Sequence, residues 1–255
     1  MEINILYSGS DGNACRVYTK NTSILLDCGI SKTKLYSQGE FPVDAIFVTH
    51  EHSDHLKGVG VIGRFSRAPI YMEEKAYLLK KDSFNFKNCF IKFISAGDKI
   101  EIGDVIVEAH KTSHDSIEGL FFIVEEKKTK LRYGHLTDTG KITPKMTTAL
   151  QSCDGLLLES NHDVDLLMDY PLYPDITKNR IKSNLGHLSN KQTMEFIRDN
   201  LDYNQLQWII FSHLSKNSNS PEMVLEAQNE IIPKFKKVYI TPKEIKLKIR
   251  KNNGY

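Results

Sequence analysis

The six residues His50-Glu51-His52-Ser53-Asp54-His55 follow the apolar run Ala45-Ile46-Phe47-Val48-Thr49 and hold three imidazoles and two carboxylates. The apolar run is β-prone, so His50 stands just past the C-terminal end of a strand. In a continuing strand His50 and His52 would share a face, whereas Asp54 and His55, as neighbours, would point apart. Helical periodicity starts near Asp54, so the chain turns there. A strand-loop-helix corner of this kind converges His50, His52, Asp54 and His55 on one small volume. Neutral imidazoles and a carboxylate suit zinc, manganese or iron, and a tight site needs three or four such ligands. A single histidine on an apolar face is ordinarily a packed core residue; four candidate ligands in HxHxDH spacing read as a metal site.

The rest of the chain supplies a scaffold for such a corner. Short alternating or apolar runs bounded by turn residues predict strands at Ile3–Tyr7, Arg16–Thr19, Ser23–Asp27, Ala45–Thr49, Ile102–Ala109 and Leu120–Glu125. A second set falls at Leu131–Tyr133, Gly155–Glu159, Trp208–Ser212 and Val238–Ile240. Helical patterning covers Asp54–Phe65, Glu73–Lys80, Pro144–Leu150, Lys191–Asn200 and Pro221–Glu230, with Asn190 and Ser220 as N-caps and Pro221 at a first helical position. Strands with intervening helices throughout predict a layered protein with helices covering sheet faces. The stretch Asp163–Leu185, rich in Pro, Tyr, Asp and Asn, reads as a long excursion of the functional kind.

Composition excludes some classes and leaves others. The 255 residues can bury a sizeable core in one large domain or two small ones, and 40% apolar with 26% charged residues is globular composition. A formal charge of +2 argues neither for nor against nucleic acid. Cys15, Cys28, Cys89 and Cys153 are scattered without a CxxC pair, which predicts small buried residues in a reducing, cytoplasmic setting. Met1-Glu2-Ile3-Asn4 lacks a signal core, and no run approaches a membrane span. Between Lys234 and Lys251 stand Lys234, Lys236, Lys237, Lys243, Lys246, Lys248, Arg250 and Lys251 against Glu244. The alternation of Ile245, Leu247 and Ile249 there predicts an edge strand with one cationic face, either a lysine-protected edge or a phosphate-binding one.

The corner's sequence resembles the signature of the metallo-β-lactamase superfamily, and further segments of that pattern occur in order. Thr112-Ser113-His114-Asp115 resembles the loop giving a third histidine, Leu136-Thr137-Asp138-Thr139-Gly140 the segment of a bridging aspartate, and Phe211-Ser212-His213-Leu214-Ser215 that of a last histidine. Ser8-Gly9-Ser10-Asp11-Gly12-Asn13-Ala14, Leu157-Leu158-Glu159-Ser160-Asn161-His162-Asp163, Gly186-His187-Leu188-Ser189-Asn190 and Ser212-His213-Leu214-Ser215-Lys216 are similar to the YycJ/WalJ branch, so the resemblance spans nearly the whole chain.

That resemblance implies an α+β protein, one metallo-β-lactamase domain over residues 1–255 folded as a four-layer αββα sandwich. It implies two divalent metal ions, zinc or manganese: His50, His52 and His114 at one, Asp54, His55 and His213 at the other, and Asp138 between them. Two cations roughly 3.5–4 Å apart clamp the attacking and leaving oxygens of phosphoryl transfer and lower the pKa of bound water from about 16 towards 7. Asp54 then has a catalytic part as well as a ligand's. By likeness to tRNA 3′-processing nucleases, Glu159 and His187 help to protonate the leaving oxygen, although His187 could instead cap a helix. The implied activity is a two-metal phosphodiesterase of bacterial cytoplasm, a DNA exonuclease running 5′ to 3′ on duplex DNA, with DNA rather than RNA as partner. The alternative is thioester or lactam hydrolysis on the same scaffold. His162 either lines the site or holds the Asp163–Leu185 excursion. His110 and His135 have no motif role. Ser10-Asp11-Gly12-Asn13 is either an anion-holding turn or a plain hairpin. Lys178, Arg180 and Lys182 form a basic patch near His187 that suits a polyanion or a solvated surface.

Overall fold

In the computed structural model of the chain, residues 1–37, 42–241 and 245–248 are described. The first part runs β1 (Glu2–Tyr7), β2 (Ala14–Tyr18), β3 (Ser23–Leu26), α1 (Lys32–Tyr36), β4 (Ala45–Phe47), α2 (Ser53–Leu56), α3 (Val59–Ser66), β5 (Pro69–Met72), α4 (Glu74–Lys80), β6 (Phe90–Phe93), β7 (Lys99–Ile102), β8 (Val105–Lys111) and β9 (Leu120–Glu126). Then come β10 (Leu131–Leu136), α5 (Pro144–Leu150), β11 (Gly155–Glu159), α6 (Val164–Asp169), α7 (Asp175–Ile181), α8 (Asn190–Asn200), β12 (Trp208–Ser212), α9 (Pro221–Ala227), β13 (Lys237–Ile240) and β14 (Ile245–Lys248). The chain forms two compact units. One holds Met1–Lys111, Ser116–Leu131 and β14; the other holds Thr112–Asp115 and the stretch from Arg132 through β13.

In the first unit one sheet is ordered β14-β1-β2-β3-β4-β5-β6, with antiparallel pairing from β14 to β3 and parallel pairing from β3 to β6. Beside it β7, β8 and β9 form an antiparallel set. The parallel strands β3 and β4 are buried along their whole length, as strands covered on both faces must be. Val59 and Ile62 of α3 pack into one apolar cluster with Leu25, Ile46, Val48 and Ile70. That packing holds the corner after β4 against a rigid core.

The second unit is built on parallel strands, β10 beside β11, β11 beside β12 and β12 beside β13. Pro144 opens α5 and Ser220 caps α9, as read from sequence. Parallel pairing brings the C-terminal ends of β10, β11 and β12 to one edge, where ligands of such sheets bind.

Several sequence expectations need correction. The run Ile102–Ala109 is two strands, because Gly103, with φ of 53°, turns the chain between β7 and β8. The helix expected over Asp54–Phe65 is α2 and α3, interrupted where the Gly58 N–H donates to the Cys28 carbonyl at 2.7 Å. Ser189, not Asn190, caps α8, in a reciprocal capping box with Gln192. Asn190 is already inside the helix, its side chain bonded to Ser160 and Asn219. The excursion Asp163–Leu185 is largely helical. β14 is an edge strand with Ile245 and Leu247 buried. Lys243, Glu244, Ile249, Arg250 and Lys251, on which the cationic-face expectation also rested, lie outside the described residues. All four cysteines are free thiols; Cys89 is only half-buried, whereas burial pushes the Cys28 thiol up to about 12.

Candidate metal centre

In the first unit the corner forms as its sequence requires. β4 ends at Phe47, Val48 and Thr49 lead out, His52 occupies the N-cap position of α2, and Asp54 and His55 lie in its first turn. His50 Nε2 and His52 Nδ1 are 3.0 Å apart, and His55 Nε2 is 3.4 Å from Asp54 Oδ2. Two donors on one tetrahedral ion, each about 2.0–2.1 Å from it, are separated by about 3.3 Å, so these spacings fit cation ligands. Glu51 turns away: its Oε1 accepts from the Ile117 N–H at 3.0 Å.

Three residues not assigned from sequence order this cluster. Asp27, just past β3 and in the left-handed region (φ 57°), accepts the Thr49 N–H and hydroxyl, each at 2.8 Å. Its Oδ2 lies 2.7 Å from His55 Nδ1, which holds the His55 proton on Nδ1 and leaves Nε2 for the cluster. The Asn13 amide nitrogen stands 3.0 Å from His55 Nε2 and donates to Asp54 Oδ2 at 3.2 Å. Gly29 permits that approach, since a Cβ there would lie 1.4 Å from the Asp54 carbonyl oxygen. The Ser10–Asn13 turn lies in the hairpin that joins β1 to β2. The N–H groups of Gly9, Gly12 and Asn13 are bonded within the chain, to Asn13 Oδ1, Gly9 O and Asp54 O. The sequence signal for Asp27 was a carboxylate at the end of a buried strand; Asn13 lay inside the Ser8–Ala14 motif of the family resemblance, which gave it no role of its own.

In the second unit Asp138, Glu159 and His213 emerge from the C-terminal ends of β10, β11 and β12. Asp138 and His213 both have left-handed backbones, φ 51° and 57°. Such conformations cost energy in non-glycine residues and occur where the surroundings impose them. Glu159 is fully buried, and its Oε1 meets His187 Nδ1 at 2.7 Å and His213 Nδ1 at 2.8 Å. Its Oε2 accepts the N–H groups of Thr139 (3.0 Å) and Leu188 (3.3 Å). One carboxylate thus orients two imidazoles, and His213 turns its Nε2 to 3.4 Å from Asp138 Oδ1. Burial would raise the Glu159 carboxyl, but His187 and His213 outweigh it and hold it at about 2. Asp138, Glu159, His187 and His213 each offer a ligand atom within 4.8 Å of the others. His114 sits on a loop tied to the same strand end, with Thr112 Oγ1 on the Asp138 carbonyl (3.1 Å) and its own Nδ1 3.1 Å from the Gly186 carbonyl. Burial pushes the His114 imidazole down towards the neutral form a ligand needs, against the pull of Asp138.

His187 does not cap α8, since Ser189 does. The His162 main chain bridges to Ser189 and accepts the Asn190 N–H at 2.9 Å, so it anchors the start of the excursion; burial holds its ring at about 4. His135 is packed, 2.8 Å from the Tyr133 hydroxyl, and His110 stacks on Phe121.

The donor sets of both units are those of divalent-cation sites, and comparison with known proteins agrees. Residues 22–201 match the β-lactamase superfamily domain, and the chain belongs to that family of metal-dependent hydrolases. Among curated proteins it is 33% identical over 239 residues to the exodeoxyribonuclease YycJ of Bacillus anthracis, covering 91% of this chain and 89% of that one. It is 36% identical to the exodeoxyribonuclease WalJ of Streptococcus pneumoniae, covering 86% and 84%. The Zn²⁺-bound crystal structure of PqqB from Methylobacterium extorquens aligns over 98% of this chain and all of that one, with a TM-score of 0.77 and 12% identity, which shows the metallo-β-lactamase fold, an α+β sandwich.

Proposed function

We propose that the chain is a two-metal phosphodiesterase acting on DNA, an exonuclease running 5′ to 3′ on duplex DNA, and that residues 1–255 work as one metallo-β-lactamase domain. The ligands in this reading are His50, His52 and His114 for one ion and Asp54, His55 and His213 for the other, with Asp138 shared. The metals are zinc or manganese. When bound, they supply positive charge to the phosphodiester and acidify the attacking water. The cytoplasm of a bacterium is the proposed setting; among the described residues no helix is long and apolar enough to cross a membrane.

The observation that carries the reading is the Glu159–His187 pair. Glu159 has no exposure, so it acts by orienting, and it fixes the His187 proton on Nδ1. His187, partly exposed, then presents Nε2, which as part of an imidazolium carries the second proton that passes to a departing sugar oxygen. A sugar alkoxide leaves poorly without a proton. A thioester's thiolate needs none, so thioester hydrolysis makes no use of this pair. The exodeoxyribonuclease names of the two curated relatives support a DNA substrate.

Purified protein with Mn²⁺ should progressively shorten 3′-labelled duplex DNA and release the label of 5′-labelled duplex at the first cut, and His52→Ala and Asp138→Ala should do neither. Wild-type protein that leaves duplex and single-stranded DNA intact while hydrolysing thioesters or lactams would overturn the proposal.

A further inference from the structure

His213 leaves its strand in a left-handed conformation, and one buried side chain accounts for how that conformation is held. Parallel pairing of β11 with β12 ends where Glu159 stands opposite Ser212. One step further the Ser160 N–H still donates to the Ser212 carbonyl at 3.0 Å, but His213, at φ 57°, turns out of the ladder. Its carbonyl is met by a side chain instead: the Asn161 amide donates to it at 2.8 Å. The chain then returns, and the Ser215 N–H donates to the Asn161 carbonyl at 2.8 Å. Asn161 thus grips the turn twice, with its side chain on His213 and its main chain on Ser215. A third bond, from the Asn161 N–H to the Leu188 carbonyl at 2.9 Å, ties the turn to the loop that carries His187.

Asn161 is buried, and a buried carbonyl that loses its donor costs free energy, so the amide resists rotation of the peptide after His213. The ring follows the main chain. His213 Nδ1 lies 2.8 Å from Glu159 Oε1, and Nε2 lies 3.4 Å from Asp138 Oδ1. The Asn161 amide nitrogen also stands 3.4 Å from His213 Nδ1. That ring nitrogen gives its proton to Glu159, so two donors meet there and the contact is packing rather than a bond. The two residues divide the work: Glu159 sets which nitrogen carries the proton, and Asn161 sets where the ring stands. A small turn of the main chain is magnified at the far end of an imidazole, whereas metal–ligand distances tolerate only about 0.2 Å.

We infer that Asn161 is the positioning residue of His213, holding the main chain from which that imidazole reaches its ion. The inference rests on His213 being a metal ligand, as proposed above. Asn161 acts through His213 alone, so its contribution is to the affinity of one ion. Loss of such a partner behind a ligand weakens metal binding by roughly 10–100-fold.

The test compares wild type with Asn161→Ala, Asn161→Ser, His213→Ala and the double variant Asn161→Ala/His213→Ala. Zinc affinity is read by equilibrating the zinc-loaded proteins with a chromophoric chelator. Asn161→Ala should weaken one of the two proposed ions by roughly 10–100-fold and leave the other unchanged. Asn161→Ser, whose hydroxyl still donates but from a shorter stem, should fall between. In the double variant Asn161→Ala should add nothing to His213→Ala, because a residue that acts through another has no effect once that one is gone. The rise in melting temperature that zinc produces should be smaller in Asn161→Ala than in wild type. Cleavage of DNA and of bis(4-nitrophenyl) phosphate should fall together, and both should recover when metal is raised about a hundredfold. A variant that melts lower by the same amount with and without zinc, and binds zinc as wild type does, overturns the inference, since Asn161 would then support the fold alone. Additive losses in the double variant overturn it too. Wild type that holds zinc yet cuts no DNA removes the nuclease reading, and the zinc affinities still decide the part of Asn161.

Discussion

The two units assemble their metal-binding groups by opposite routes. In the first, His50, His52, Asp54 and His55 occupy one strand-to-helix corner within six residues, and Asp27 and Asn13 close around it. In the second, His114, Asp138, Glu159, His187 and His213 are spread over 99 positions (213 − 114) and meet at the ends of parallel strands. A local corner is determined by turn chemistry and a few close backbone approaches. A distributed site depends on sheet register, and here on one buried carboxylate that aims two imidazoles. The support of the local corner is divided between Asp27 and Asn13, whereas the distributed set concentrates its support in Glu159.

Substitution can break this contrast. The largest effect is expected from Asp138→Ala, which should abolish nuclease activity and lower bound metal further than His52→Ala does, because one carboxylate serves two ions in the proposed centre. Elemental analysis with a cleavage assay decides it, and two full equivalents of tightly held metal in Asp138→Ala would remove the shared role. Next, His187→Ala should keep its metal and substrate affinity yet slow DNA cleavage by roughly two to four decades. On a nitrophenyl phosphodiester, whose leaving group needs no proton, the defect should shrink, while that of His52→Ala should not. Equal losses on both substrates would show that His187 does not move the proton. Asp27→Asn should weaken metal affinity by roughly 10–100-fold, the usual cost of losing a carboxylate behind a histidine ligand. Glu159→Gln should cost more than Asp27→Asn, since two imidazoles rather than one lose a charged acceptor; metal titration that ranks them the other way would cancel the contrast. Smallest is Ser189→Ala, which removes the α8 cap and should lower stability by about 1 kcal/mol in chemical denaturation, with activity per folded molecule unchanged.

The same contrast explains what could be read from sequence. Gly155–Glu159 and Trp208–Ser212 are fully buried parallel strands, so their apolar runs end where the strands end. β6 and β7 escaped notice because they are short and largely exposed, and Phe90–Phe93 and Lys99–Ile102 carry no continuous apolar signal. α6 and α7 were hidden in a stretch rich in Pro, Tyr and Asp, and only the Asp163 side chain on the Leu166 N–H betrays the first of them. The HxHxDH corner was legible because its donors are neighbours in the chain. His114, Asp138, Glu159, His187 and His213 needed a family resemblance, since nothing within any one segment says which strand ends lie side by side. Asp27 and Asn13 could not be given their roles for the same reason: their partners are 28 and 42 residues away.

The antiparallel pairing of β14 with β1 has a consequence for how the chain is made. Ile3 faces Leu247 across that ladder, and 238 positions separate Tyr7 from Ile245 (245 − 7). At about 5–20 residues per second, a ribosome needs roughly 12–48 s to travel from one to the other. Throughout that interval the nascent chain offers the outer edge of β1 without its partner, an invitation to the wrong strand from a neighbouring polypeptide. A synonymous recoding that slows translation before Ile245 should therefore raise aggregation without changing a single residue.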